Sequence, residues 1–305
     1  PQRAVADMAT ESAAIRGGED ILGAFGLWLN IGMLRELDAP LPKSAKGFGL
    51  VRSEFLFDAT DPPTGAEQFD VYRRVVTAAG GRPVVIRLFD AGSDKQLSWL
   101  PVSPEKTPAL GLRGVRLLLR RGDVLRNQLR ALLRAAAFGP VRILVPMVSE
   151  PGEMASVRAL LESERANLVG RGEDVASVPL GMMVETPAAA LAIEAFKADF
   201  LSVGTNDLNQ YVTATSRESA APDDRSDDLH PGVVRLLRIV TEYGKKSGTP
   251  VTLCGDIAAV PGAIRNLVDI GFRDFSVPAY SFRSVQEALV AEAGQPTKAR
   301  AQGST

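Results

Sequence analysis

Short apolar runs that break off in charged or amide groups recur along this chain, with helix-like segments between them. The plainest pair is Gly181-Met-Met-Val-Glu185 and Phe200-Leu-Ser-Val-Gly-Thr-Asn206-Asp207. Apolar runs of this length between turn signals predict strands buried on both faces, and Thr186-Pro187 predicts an N-cap followed by proline at the first helical position. The unit is therefore strand, helix, strand, with its polar groups at the strand exits. The same pattern predicts strands at Gly26–Ile31, Gly47–Phe57, Arg82–Asp90, Val141–Val148, Pro250–Asp256 and Phe272–Val277. Helical spacing of Phe69, Tyr72, Val75 and Val76 predicts a helix from about Ala66 to Ala79. A second, from about Asp123 to Phe138, buries Leu125, Leu129, Leu132 and Leu133 and leaves Arg126, Arg130 and Arg134 to solvent; a third runs from about Pro231 to Lys246. Ala91 to Pro108 is irregular, and a stretch that long without periodicity implies a functional loop.

Eight strand signals separated by helix signals within about 250 residues predict a (β/α)8 TIM barrel rather than an open doubly wound sheet. The exits strengthen this reading: Asn30, Arg52, Arg87 with Asp90, Glu185, Asn206 with Asp207, and Cys254 with Asp256. A barrel gathers all strand ends on one face, where an open sheet would scatter them. Glu185 and Asp207, arriving from neighbouring strands, suit a hard divalent cation, and Mg²⁺ is the expected one. Arg52, Arg87 and Arg113, with Lys95 and Arg217 from loops, add positive charge, and guanidinium forks match phosphate and carboxylate oxygens. The expected ligand is small, highly anionic and carries both groups.

Composition narrows the setting. The 305 residues are 45% hydrophobic and 23% charged, enough for a full core. With 35 Lys plus Arg against 36 Asp plus Glu, no overall basic field points to nucleic acid or anionic lipid. One cysteine, Cys254, excludes an intramolecular disulfide and a multi-cysteine metal cluster, and fits a reducing compartment. The longest early apolar run, Ile21 to Leu29, is too short to span a bilayer, so a soluble cytoplasmic protein is expected. Residues 1–20 are expected to be a linker cut from something longer, 21–290 the barrel, and 291–305 a disordered polar tail. The single histidine, His230, precedes Pro231 and is expected to cap a helix. Met147, Met182 and Met183 are expected to fill the barrel.

In order, GFGLVRSEFLF, RPVVIRLFDAGSDKQ, PALGLRGVRL, MVETPAAAL, SVGTNDLNQYV, DDLHPGVVRLL and LCGDIA resemble the phosphoenolpyruvate-binding barrel of enzyme I of the bacterial sugar phosphotransferase system. The resemblance runs from about Asn30 to Pro278. It implies Mg²⁺-assisted transfer of the phosphoryl group from phosphoenolpyruvate to a histidine on a separate swivelling domain, with protonation of the remaining enolpyruvate to pyruvate. It implies Glu185 and Asp207 as metal ligands, and Arg52, Arg87, Lys95, Arg113, Asn206 and Arg217 as the phosphate and carboxylate clamp. Cys254 would be the acid that protonates the methylene carbon. A homodimer through the barrel and an HPr-like carrier downstream are implied as well. The family's phosphohistidine loop, Gly-rich and ending Thr-Ser-His, has no counterpart here, so the acceptor is expected on another chain or segment. The chain departs from the family pattern at Ser93, at Ser216 and Glu218 beside Arg217, at Asp256, and at Ala258-Ala259-Val260. A carboxylate at Glu218 would compete for the Arg217 guanidinium. Two further readings are a non-catalytic module that senses phosphoenolpyruvate or pyruvate, and the barrel of a pyruvate phosphate dikinase or phosphoenolpyruvate synthase relative.

Overall fold

The structure, a computed structural model, describes residues 22–57, 61–216 and 229–294. Its eight strands are β1 (Gly26–Ile31), β2 (Ala45–Arg52), β3 (Val84–Arg87), β4 (Val141–Val145), β5 (Leu180–Val184), β6 (Leu201–Gly204), β7 (Val251–Cys254) and β8 (Asp274–Val277). They close in sequence order into one parallel barrel, with Gly26 of β1 paired to Asp274 of β8. The (β/α)8 expectation is met, and all eight predicted strands are present. Six of them, β2 to β7, are shorter at their carboxyl ends than the pattern suggested: β2 stops at Arg52 in a 3₁₀ turn, Ser53–Phe55, and β3 stops at Arg87.

Helices wrap the barrel: α1 (Gly65–Ala78), α2 (Gly114–Arg120), α3 (Gly122–Ala135), α4 (Pro151–Gly170), α5 (Pro187–Leu191), α6 (Thr205–Thr213), α7 (Pro231–Ser247), α8 (Ile264–Ile270) and α9 (Phe282–Ala293). Local chemistry accounts for their starts. Thr64 and Glu67 form a reciprocal capping box on α1, and Thr186 caps α5 by accepting from Ala189 N at 3.2 Å. His230 caps α7 through Nδ1, which accepts from Gly232 N at 3.1 Å, as expected of it. The expected tail begins within described structure, since α9 runs to Ala293; the linker 1–20 and residues 295–305 lie outside the described residues. No helix among the described residues is long and apolar enough to cross a membrane.

Helix α4 is the longest of the helices that hydrophobic spacing did not disclose. Its buried positions Met154, Val157, Leu161 and Leu168 share the inner face with a carboxylate, Glu164, which interrupts the apolar stripe. Glu164 is there because Arg126 and Arg130 of α3 reach it at 2.7 and 2.5 Å. Arg126 and Arg130 are therefore tethered between helices, and Arg134 to Glu173 just beyond α4, instead of being simply solvated.

Strand alternation sorts the core into two layers. In β3, Val84 and Ile86 join the large cluster beneath the helices, while Val85 belongs to an inner cluster with Leu50, Leu144, Met183, Phe200 and Cys254. Because side chains alternate along a strand, the residue two beyond each inner-cluster member also faces the interior. Leu50 leads to Arg52, Val85 to Arg87, and Met183 to Glu185. The polar exits of these strands thus sit one step above the apolar plug.

Candidate functional site

At the carboxyl ends of the strands lies a cavity of about 390 Å³. Arg52, Arg87 and Lys95 line it with Glu185, Asp207 and Asp256, and Asn206 and Cys254 complete its polar wall. Seven of the nine sequence-predicted site residues therefore share one cavity, and Arg52 and Arg87 are direct strand neighbours across β2 and β3.

Two adjacent guanidinium groups repel, so their coexistence needs counter-charge. Glu54 and Asp90 supply it. Glu54 pairs with Arg87, and both are nearly fully buried. Asp90, wholly buried, lies 3.2 Å from Arg87, 2.7 Å from Lys95 and 3.3 Å from Arg113. Burial alone would raise the Asp90 pKa, but the facing charges of Arg87, Lys95 and Arg113 outweigh it and hold the carboxyl well below the usual range. Burial likewise pulls the Arg87 guanidinium down, and Glu54, Asp90 and Glu185 overcome that pull, so its pKa is raised. The mouth is therefore a balanced ion lattice and not the strongly positive pocket that counting arginines suggests.

Arg113 is the largest departure in position. It is fully buried and does not line the cavity; its guanidinium meets Asp94 at 2.6 Å, Asp90 at 3.3 Å and Asp207 at 3.4 Å. It stands behind the wall and orders three carboxylates. Asn30, another strand exit, is taken up by β8, accepting from Ser276 Oγ at 2.5 Å and donating to Ser276 O. Met183 lines the mouth, whereas Met147 is buried away from the cavity and Met182 faces the helices. Asn206 and Asp207, expected to end β6, open helix α6. Asn206 Oδ1 accepts from Asp256 N at 2.9 Å, and the side chain lines the cavity. Arg217 and Glu218 lie outside the described residues. Ser93 accepts from Glu105 N at 3.3 Å and so helps close the Ala91–Pro108 loop on itself.

Gln128 was not anticipated. Fully buried in α3, it accepts from Phe89 N at 3.1 Å and donates to Ser53 Oγ at 3.0 Å and to Tyr72 OH at 2.9 Å. Ser53 in turn donates to Arg87 O at 2.6 Å. One amide thereby ties the segments after β2 and β3, and with them Arg52, Glu54, Arg87 and Asp90, to the outer helices. The available signal was a polar residue on the apolar face of a predicted helix, between Leu125 and Leu129.

Glu185 is fully buried, and its Oε1 accepts from Met147 N at 2.7 Å. Burial first, then the charges of Asp90 and Asp207, push its pKa up to about 7, against the opposing effect of Arg87. Among the described residues no group of three or more His, Cys, Asp and Glu side chains could hold a metal. Glu185 and Asp207 fit an ion that takes two carboxylates and completes its shell with water and ligand oxygens, which is the habit of Mg²⁺. Cys254 ends β7 with its thiol buried; burial pushes its pKa up to about 11, moderated by a hydrogen bond with Ser202 Oγ at 3.2 Å. It holds its proton at neutral pH.

Fold and mouth together define a parallel (β/α)8 barrel built to receive a small charged ligand at its carboxyl face. The chain belongs to the PEP-utilising enzyme family through its PEP-binding domain, whose family model matches residues 8–293. It is 41% identical over 264 residues to a phosphoenolpyruvate-protein phosphotransferase of Staphylococcus aureus, covering 85% of this chain and 46% of that protein. It is 43% identical over 271 residues to one from Cupriavidus necator, covering 86% and 46%. A Latilactobacillus sakei relative of the same name is 37% identical over 269 residues, covering 87% and 47%. The chain spans about half the length of these curated relatives.

Proposed function

We propose that this barrel binds phosphoenolpyruvate with Mg²⁺ and serves as the phosphoryl-donating half of a phosphoenolpyruvate-protein phosphotransferase. The observation that carries the reading is the sharing of one cavity by three cations, two carboxylates that suit a divalent ion, and a thiol that keeps its proton. With the lattice already balanced, a trianionic ligand needs added positive charge, and Mg²⁺ at Glu185 and Asp207 would supply it as a Lewis acid on the phosphate.

In this reading Arg52, Arg87 and Lys95 neutralise the phosphate and carboxylate oxygens, and Asn206 donates its amide. Arg113 acts from behind by holding Asp90, Asp94 and Asp207 in place, and Arg217 belongs to the same clamp by resemblance. Phosphoryl transfer depends mainly on such positioning and charge neutralisation. The phosphorus–oxygen bond breaks as a histidine of a phosphohistidine domain takes the phosphoryl group, and its electron pair stays on the enolate oxygen. Cys254 Sγ–H then delivers its proton to the methylene carbon, giving pyruvate and a thiolate. A cytoplasmic setting, a homodimer and an HPr-like carrier complete the proposal, which rests in these respects on the family resemblance.

Proton exchange tests the site without the histidine domain. Pyruvate incubated with the protein and Mg²⁺ in D₂O is expected to acquire methyl deuterium, and Cys254→Ala is expected to slow this by about 10²-fold or more with the fold intact. No exchange by the wild-type chain would favour the sensing module over the enzyme.

A further inference from the structure

Met147 is one of two non-glycine residues with positive φ among the described residues, at +55°. Side chains rarely enter that region because Cβ crowds the backbone, and such positions persist only where the surroundings impose them. Here the imposition is visible. Gly114, itself at φ +54°, packs so tightly that a Cβ on it would lie 2.6 Å from Met147 Cβ. Val115 N donates to Pro146 O at 3.3 Å, joining the two segments, and Gly114 N donates to Ala91 O at 2.9 Å, anchoring Gly114 to the loop after β3.

The outcome of this packing is the direction of one peptide. Met147 N–H donates to Glu185 Oε1 at 2.7 Å. The other oxygen, Oε2, lies against Gly204, where a Cβ would come within 2.8 Å of it. The carboxylate is thus held on one side by a donor and given room on the other by a missing side chain. Because Gly114 follows Arg113, the segment that orders Asp90, Asp94 and Asp207 is joined to the one that holds the Glu185 carboxylate through the seating of Gly114 on Met147.

We propose that Met147 is a positioning residue for the cation site: its left-handed peptide, seated on Gly114, fixes Glu185 Oε1 and presents Oε2 to the ion. The inference rests on the reading of Glu185 as a metal ligand and adds to it the device that orients the ligand. Outer groups that orient a metal ligand typically govern affinity by about 10- to 100-fold.

The test is Mn²⁺ binding to the 305-residue chain with phosphoenolpyruvate present, counted as free Mn²⁺ by electron paramagnetic resonance, with a melting curve for every variant. Met147→Val keeps the N–H but disfavours positive φ, and Gly114→Ala crowds the same peptide from the other side; each should weaken Mn²⁺ binding about tenfold or more. Met147→Gly keeps the N–H and takes up positive φ freely, so it should bind Mn²⁺ within about threefold of wild type although it removes the whole side chain. A role in packing alone would make Met147→Gly the worse of the two substitutions at this position. Wild-type affinity in Met147→Val, or an equal loss in Met147→Gly, overturns the inference while leaving the metal reading intact. No Mn²⁺ binding by the wild-type chain overturns both.

Discussion

Replacing Glu185 by glutamine separates the charge of this buried carboxylate from its shape. In the folded, metal-free protein its pKa is pushed up to about 7, against 4.5 for an ordinary glutamate. The raised value means that the native state binds the proton more tightly than the unfolded chain does. Below pH 4.5 both states are protonated and the stabilising effect of that proton is fully present; as pH rises toward 7 it is lost, and above 7 the native state carries a buried charge. At 1.36 kcal/mol per unit, the shift corresponds to about 3 kcal/mol at pH 8. Glu185→Gln cannot ionise, so in EDTA it should be about 3 kcal/mol more stable than wild type at pH 8 and nearly equal to it at pH 4. Asp90, whose pKa is depressed, loses stability as pH falls, but it does so in both proteins, and the difference isolates Glu185. Urea unfolding of both proteins at a series of pH values measures it. A difference that stays constant from pH 4 to 8 refutes the reasoning, because it would place the glutamate in water and not among Asp90 and Asp207. Mg²⁺ should stabilise wild type and leave the variant unchanged.

Two other substitutions probe the lattice and the fold. Arg87→Leu strands Glu54 as a buried carboxylate and takes from Asp90 one of its three cations, and should cost about 3–5 kcal/mol by chemical denaturation, whereas a mere surface arginine would cost under about 1 kcal/mol. Thr64→Ala removes half of the capping box of α1 and should cost about 1 kcal/mol without changing ligand binding; an unchanged midpoint would show that α1 is held by packing alone.

The barrel was legible because each strand of a parallel sheet is buried on both faces and leaves an unbroken apolar run. Glu185, Arg87 and Cys254 were legible because they interrupt those runs at the exit. What escaped depends on contacts distant in sequence. Arg113 reads like any clamp arginine until Asp90, Asp94 and Asp207 are seen closing around it. Glu54 stands two residues beyond the Arg52 exit, but its partnership with Arg87 needs the β2–β3 register. Helix α4 was obscured by Glu164, a carboxylate on an apolar face that makes sense only with Arg126 and Arg130 opposite. Met147 looked like core filling, and nothing local announced that its backbone serves Glu185.

The central claim is that one mouth couples an anion clamp to a divalent ion through Glu185. Calorimetric titration of phosphoenolpyruvate into the chain tests it in three arms: with Mg²⁺, with EDTA, and with Mg²⁺ and Glu185→Ala. Heat of binding in the first arm alone is the result the account predicts. Equal binding in all three would contradict it, since the cations would then hold the ligand without the ion, and no binding in any arm would mean that the mouth does not take phosphoenolpyruvate.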